Sequence, residues 1–369
     1  MIASLKFNHK AIFRIFAIIT AIGILYLFPD IVIYVFLALI VALMGKPLAL
    51  KISKIKFYKW HIPYSVGAII STLIFLIVLL LLIGLFVPLF IREFRVLENV
   101  NYEAIRVYLE NNIAYIQTFL YDRQIIDSNA TIVSIITDEI RNLINVELLS
   151  NVLGGVINMT TSFVIAIFTI FFVGFFFMKE DIRLDTLLKP FVNAEYVERL
   201  SVVSENVNYL LSRYCLGAVI RILIMTLLIY IGFLVFGIPS AGFHAFVGGI
   251  LNIIPYLGPI IGVVVSIFLS FITCVSTEVY SDIVPIIMKI ATIYIMANTI
   301  DYLLLQPYIF SQSVKIHAVE VFLVTITGGK IAGIPGMILA IPIYTILRTT
   351  IIEIYNYINQ TTPLIQKDT

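Results

Sequence analysis

Charged residues are scarce in this sequence. Only 12% of its 369 residues are Asp, Glu, Lys or Arg, while 61% are hydrophobic and the mean hydropathy is +1.06. A water-soluble domain carries about a quarter charged residues, because it needs them to cover its surface. The shortage of charge therefore excludes a soluble globular protein and indicates an integral membrane protein.

Residues and motifs that carry catalysis are also rare. The two cysteines, Cys215 and Cys274, lie in apolar stretches, which is typical of buried free thiols. The chain has no Gly-x-x-x-x-Gly-Lys phosphate loop, no Gly-x-Ser-x-Gly elbow and no His-Glu-x-x-His motif. We therefore expect no enzyme activity, no cofactor, no metal site and no ATP-driven pump. Because no basic stripe with interleaved aromatics occurs, we also expect no nucleic-acid partner.

Long uncharged runs are what the chain has in abundance. They cover 30 residues at 62–91, 31 at 148–178 and 56 at 222–277. A helix crosses the hydrocarbon core with ~20 apolar residues, and barrel strands of roughly 10 alternate in polarity instead. The sequence therefore predicts an all-α polytopic transmembrane protein, with about six full spans plus two Pro/Gly-interrupted segments.

The first domain, 1–91, is predicted to hold three transmembrane helices, at 11–28, 31–44 and 63–90. Between the second and third, segment 46–60 has five lysines and no acidic residue. Positive loops stay in the cytoplasm, so this loop and the basic N-terminus are placed inside. We expect a multi-pass protein of the cell inner membrane, with both termini cytoplasmic and the lipid bilayer as its surroundings.

Two further regions follow. Segment 92–147 has nine acidic and five basic residues and apolar positions at helical spacing, so it is predicted to be an extracytoplasmic amphipathic helical insert. The C-terminal domain, 148–369, is predicted to start with a span at 152–178. A cytoplasmic amphipathic helix within 179–215 and a span at 216–236 come next.

Two segments of the C-terminal domain, 242–273 and 316–348, are apolar but interrupted. Each has a glycine pair followed by proline at the same offset, from 248 to 255 and from 328 to 335. Proline breaks a helix, and paired broken segments are the best sequence indication of a translocation site. The alternative is a pair of merely kinked helices. The candidate pathway residues in these segments are Asn252, Pro255, Tyr256, Gly258, Pro259, Gly262, Gly328, Gly329, Lys330, Gly333, Pro335 and Gly336.

Arms of 13–14 residues, such as 242–254 and 260–273, suit re-entrant hairpins rather than full spans. The flanking charges agree, because hairpins would place the acidic loop 275–283 outside and Lys315 inside. If each broken segment instead crossed the membrane once, the acidic loop would lie inside and Lys315 outside.

Asp301 is the most informative ionisable residue within the spans. Asn298 precedes it by three residues, and Gln306-Pro307 follows, so these four complete the candidate pathway. Asp301 either binds a cation or proton or hydrogen-bonds the solute, or it lies at the cytoplasmic interface or forms a structural pair with Arg221 or Lys315. Lys330 either attracts the solute or reaches the interface with its charged end.

Several motifs resemble those of the autoinducer-2 exporter family of permeases. They are the run from Asn252 to Gly262 (Asn-Ile-Ile-Pro-Tyr-Leu-Gly-Pro-Ile-Ile-Gly), Asp301 with Gln306-Pro307, Gly328-Gly329, and the run from Gly333 to Pro342. The resemblance implies a membrane transporter. The family name refers to export of a quorum-sensing furanone, and some relatives are described as sodium/proton antiporters.

Three functions follow as hypotheses. The first is a permease or exporter of a small polar solute through the broken segments. The second is a sodium/proton-type cation antiporter that uses Asp301. The third is a non-transport membrane scaffold that recruits partners through the insert. A homo-oligomer is a further expectation.

Overall fold

The protein is described from a computed structural model. The described residues are 23, 27–57, 60–98, 100–111, 132–143, 160–180, 186, 189, 197–277, 279, 282–306 and 317–358. Helix dominates them, and the β structure among them is one antiparallel pair, Lys56–Phe57 with Trp60–His61. The all-α class is thereby confirmed, while most of the predicted first helix, 11–28, lies outside the described residues.

The helices are numbered in chain order. They are α1 Pro29–Ser53, α2 Tyr64–Glu98, α3 Ile132–Leu143, α4 Thr160–Lys179, α5 Val197–Val235, α6 Ala241–Leu251, α7 Leu257–Ser276, α8 Ile283–Ile300 and α9 Ala318–Ile358. A π-helical turn, Asp301–Leu305, continues α8, and residues 102–111 are helical as well. Helix α1 starts at a proline, which the first turn tolerates because its backbone N–H groups have no helical partner there.

Six helices among the described residues are long and apolar enough to cross a membrane. They lie at Asp30–Ser53, Tyr64–Leu97, Leu200–Val235, Leu257–Ser276, Ile283–Leu305 and Ala318–Asn356, and the shortest has 20 residues. That length meets the ~20 residues needed for a span. The chain is therefore a multi-pass helical membrane protein, as predicted.

Two boundaries differ from the sequence-based prediction. The amphipathic stretch within 179–215 and the span at 216–236 are joined in α5, which runs for 39 residues. The glycine at 217 does not interrupt it, because one glycine costs a helix only about 1 kcal/mol. The second arm of the first broken segment is 20 residues long rather than 14. It starts at Leu257, since Pro259 lies in the first turn, where proline is accepted.

The chain divides into two compact units. The first unit comprises 1–79, 161–216 and 342–369. Its core packs small residues, Ala42, Ala49 and Ala68, around Met178. Small residues let helix backbones approach closely, which is how membrane helices associate.

The second unit comprises 80–160 and 217–341 and contains the first broken segment and the second one as far as residue 341. One of its cores joins α5, α6 and α8 around Phe233 and Tyr294. In a second core, Ile105 and Val133 of the insert region pack against Ile272 and Ile283, which lie at the end of α7 and the start of α8. The described parts of the insert are thus attached to the helices of this unit by apolar contacts.

Candidate functional site

The first broken segment folds as a helical hairpin. Helix α6 ends at Leu251, and α7 begins at Leu257 after a turn that contains Pro255. Tyr256 in this turn has a positive φ of 63°, which is uncommon for a residue with a side chain. The two arms touch through glycine, since a Cβ atom on Gly262 would lie 3.5 Å from Cα of Gly248.

The second broken segment also reverses direction. Ala332 and Gly333 have non-helical backbone angles, with φ 61° at Gly333. A Cβ atom on Gly328 would lie 2.9 Å from Cβ of Ala340, whereas twelve residues of straight helix span about 18 Å. The glycines therefore let α9 fold back on itself, and both broken segments are hairpins. How the hairpins lie relative to the membrane stays a prediction.

The two hairpins meet within the second unit. The ring of Tyr256, at the turn of the first hairpin, contacts the ring of Phe322 in the first arm of the second hairpin. Their centroids are 6.3 Å apart at an interplanar angle of 78°. This edge-to-face arrangement is a favourable geometry for aromatic pairs. The turn that breaks the first helix is therefore held against the second broken segment.

Asn252 lies at the turn of the first hairpin and is fully buried. Its Nδ2 donates to the carbonyl oxygen of Gly248 at 2.8 Å. Because a carbonyl only accepts, this bond fixes which atom of the amide is nitrogen. The other atom, Oδ1, has no hydrogen-bond partner among the described residues. An unpaired buried acceptor costs about 1–3 kcal/mol, so this oxygen favours a ligand that donates a hydrogen bond.

Asp301 forms a buried ion pair with Arg221. Nε of Arg221 donates to Oδ1 of Asp301 at 2.8 Å, and Nη2 donates to Oδ2 at 2.6 Å. Gln306 adds a third hydrogen bond to Oδ2 at 3.0 Å. Asp301 is 0% exposed and Arg221 is 4% exposed. The geometry therefore matches the structural alternative for Asp301, whereas Pro307 and Lys315 lie outside the described residues.

The packing of α6 on α5 places Asn252 near the Arg221 end of α5. A Cβ atom on Gly249 would lie 3.0 Å from Cα of Thr226, and the ring of His244 stacks on Phe233 at 4.8 Å. Later residues of α6 thus face earlier residues of α5. Asn252 follows Gly249 by three residues, so the same antiparallel packing places it opposite a part of α5 that lies closer to Arg221 than Thr226 does.

Helix α8 also runs antiparallel to α5. Gly232 packs against Ile293, and Arg221 pairs with Asp301. Asn298 precedes Asp301 by three residues, and its Oδ1 is buried with no partner in the described part of the chain. Asn298 is therefore a neighbour of Asp301 along α8, and the register of α6 on α5 brings Asn252 to the same end of α5. We call this set the polar layer; it consists of Arg221, Asn252, Asn298, Asp301 and Gln306.

The other candidate residues fall into two groups. Gly258, Pro259 and Gly262 are buried in the first hairpin. The second hairpin has its glycines at the contact between the arms, whereas its turn is exposed. The residues concerned are Gly328, Gly329 and Gly336 in the arms, and Lys330, Gly333 and Pro335 at the turn.

Arg221 was named from the sequence only as a partner, not as a candidate site residue. The sequence does mark Arg221 as unusual, since it is the last charged residue before the 56-residue uncharged run. An arginine beside a span is expensive unless it is paired, and that cost indicates a partner within the membrane domain.

Comparison with known proteins identifies the family. Residues 15–356 match the family described as AI-2E family transporter. Putative transport protein YueF of Bacillus subtilis is 27% identical over 206 residues, 56% of this chain and 53% of the relative. Putative transport protein YrrI of Bacillus subtilis is 29% identical over 201 residues, 54% of each chain.

Putative transport protein MJ1177 of Methanocaldococcus jannaschii is 23% identical over 241 residues, 64% of this chain and 66% of the relative. The matched region spans about half the length of the two Bacillus subtilis relatives. The family match itself covers almost the whole chain, so this protein belongs to the AI-2E transporter family.

Proposed function

We propose that this protein is a permease that carries a small polar solute across the cell membrane and binds it at the polar layer. One observation supports the proposal most directly, namely the buried and unpaired Oδ1 of Asn252. It lies where the helix is broken, and broken helices at membrane depth line binding sites in transporters.

The polar layer favours an uncharged solute rich in hydroxyl groups. Oδ1 of Asn252 and Oδ1 of Asn298 can only accept hydrogen bonds, so their ligand must donate. The charges of Arg221 and Asp301 are engaged with each other, which leaves no net charge to attract an ion. A furanone-type solute with several hydroxyl groups fits this requirement and the family description.

In the proposed mechanism, the two hairpins are the elements that move. Their arms meet through glycines, and their contact is an aromatic pair, Tyr256 with Phe322. Such a contact has no hydrogen bond that must break when the hairpins separate. In our proposal, separation of the hairpins opens the layer to one side, and the solute enters as water leaves.

The antiporter hypothesis has less support from the geometry. Both carboxylate oxygens of Asp301 already accept hydrogen bonds from Arg221 and Gln306. A sodium ion or proton would have to displace a guanidinium group that is held in bidentate geometry. The scaffold hypothesis has less support too, since apolar residues of the insert are engaged with α7 and α8.

The experiment is efflux from proteoliposomes with a labelled hydroxyl-bearing furanone. Replacing Asn252 by Leu keeps the approximate size but removes the acceptor, and we expect efflux to fall roughly tenfold, the effect of one lost hydrogen bond of ~1.4 kcal/mol. The matched control is Asn111→Leu, because Asn111 is exposed on the insert and its variant should transport normally.

The same vesicles decide between the hypotheses. Full efflux by the Asn252→Leu variant would refute the proposed site. Sodium-dependent proton flux that disappears in Asp301→Asn would instead support the antiporter. If neither solute nor ion moves with the wild-type chain, the transport proposal fails for both substrates, and the scaffold becomes the better hypothesis.

A further inference from the structure

The first unit contains a cavity whose residues take no part in the proposed function. This cavity, of about 280 Å³, lies among α1, α4 and α5. One side is apolar and includes Leu39, Leu43 and Phe177. The other side carries Lys46, Asn208 and Tyr209, so the lining combines an apolar wall with polar and charged groups.

Asn208 is the residue that indicates a ligand. Its Nδ2 faces Oγ of Ser204 at 3.5 Å, while its Oδ1 is buried and has no partner in the described ranges. The neighbouring polar groups on α5 have their own bonds. Ser212 donates to the carbonyl oxygen of Leu43 at 3.0 Å, and Tyr209 accepts from Arg213 at 2.6 Å. Within the described part of the chain, no group therefore donates to Oδ1 of Asn208.

The charges near the cavity favour an anion. Lys46 and Glu205 belong to the lining with opposite charges, and the guanidinium of Arg213 lies over the ring of the lining residue Tyr209 at 5.5 Å, so two positive charges stand against one negative charge. Lys46 also begins the segment 46–60, which contains lysines and no acidic residue. By the positive-inside rule this end of α1 faces the cytoplasm, where the surface of the bilayer is negative.

We propose that this cavity binds the headgroup of one anionic phospholipid from the cytoplasmic leaflet. A headgroup hydroxyl donates to Oδ1 of Asn208, the phosphate lies towards Lys46, and an acyl chain follows the apolar wall. The volume equals about nine water molecules at ~30 Å³ each, which suits a headgroup rather than a whole lipid. The acyl chains therefore continue into the bilayer.

The test measures lipid retained by the purified full-length chain. Protein from vesicles that contain equal amounts of phosphatidylglycerol and phosphatidylcholine is analysed by native mass spectrometry. We expect one phosphatidylglycerol per chain in preference to phosphatidylcholine. Asn208→Leu should reduce that preference roughly five- to tenfold, as expected for one hydrogen bond, and Leu39→Trp should abolish it by filling the cavity. The control Asn111→Leu makes the same exchange at an exposed residue and should keep the preference.

A third arm distinguishes a lipid from a soluble phosphate. Free glycerol 3-phosphate should not raise the thermal stability of the delipidated protein, whereas phosphatidylglycerol should. Equal retention of both lipids by the wild type would overturn the proposal, as would an unchanged preference in both Asn208→Leu and Leu39→Trp. Stabilisation by glycerol 3-phosphate alone would also overturn it, in favour of a soluble ligand.

Discussion

At the scale of single residues, the polar layer contains both a hydrogen-bonded charge pair and a hydrogen-bond acceptor without a partner among the described residues. Arg221 and Asp301 satisfy each other through two short hydrogen bonds, while Oδ1 of Asn252 remains unpaired. A buried charge pair holds helices in register because either charge alone would be costly. In the proposed function, this unpaired oxygen is the group that accepts a hydrogen bond from the solute.

The ion pair gives a prediction about stability. Replacing Asp301 by Leu leaves Arg221 buried without its partner, which should destabilise the fold by about 3–5 kcal/mol. The double variant Arg221→Leu with Asp301→Leu should regain most of that loss, because no charge stays unpaired. Thermal unfolding in detergent measures both.

Arg106 and Glu110 provide the control for this pair. They form an exposed ion pair at 2.9 Å, four residues apart on a helix. Exposed pairs contribute little, so Arg106→Leu should leave the unfolding temperature unchanged. Equal stability of the two Asp301 variants, single and double, would contradict the structural role of Arg221.

At the scale of secondary-structure elements, glycine determines how closely the hairpin arms approach. A Cβ atom on Gly258 would lie 2.6 Å from the carbonyl carbon of Leu251 and still closer to its oxygen. Backbone atoms of a turn cannot move aside as a flexible side chain can. The turn after α6 therefore depends on a residue without a side chain at this position.

Gly258→Ala should consequently displace the turn and destabilise the protein by about 1–3 kcal/mol, the usual cost of overpacking. It should also lower solute efflux, because Asn252 lies in the same turn. Gly84→Ala is the matched control in α2, since a Cβ atom at Gly84 meets nothing within 4 Å. Alanine is the better helix former, so the control should unfold at the same or a higher temperature. Normal efflux by Gly258→Ala would show that the turn tolerates displacement.

At the scale of the whole molecule, the membrane topology of the hairpins follows from the distribution of charge. The acidic loop 275–283 is expected outside and segment 46–60 inside if the first broken segment re-enters. A single crossing by this segment, with α7 as the span, would place that loop inside. The length of α7, 20 residues, makes this second arrangement physically possible, so the question needs a direct measurement.

Single cysteines in a background without Cys215 and Cys274 supply that measurement. Val279 and Lys54 are both exposed, so a cysteine at either position is accessible to a maleimide. We expect a membrane-impermeant maleimide to label intact cells at position 279 but to label position 54 only after permeabilisation. Labelling of both positions only after permeabilisation would indicate that the first broken segment crosses the membrane once instead of re-entering.

The sequence by itself determined the class of this protein and the positions where its helices break. Long uncharged runs exclude a soluble fold, and Pro255 lies in the first break as predicted. The second break lies at Ala332 and Gly333, two residues before the proline at 335 to which the sequence pattern had assigned it. Such properties are local, so they can be predicted without knowing which helices are neighbours. The helix boundaries differed from the prediction: the second arm was expected to start after Pro259, but α7 starts at Leu257 and holds Pro259 in its first turn.

Only the tertiary structure decided which groups become partners. Arg221 and Asp301 are 80 residues apart in sequence, and the alternative partner Lys315 was equally open until the helices were placed. The free acceptor of Asn252 and the cavity beside Asn208 likewise depend on what lies opposite each side chain. Burial and hydrogen bonding are properties of packed neighbours, whereas helix formation and helix breaking are properties of the chain.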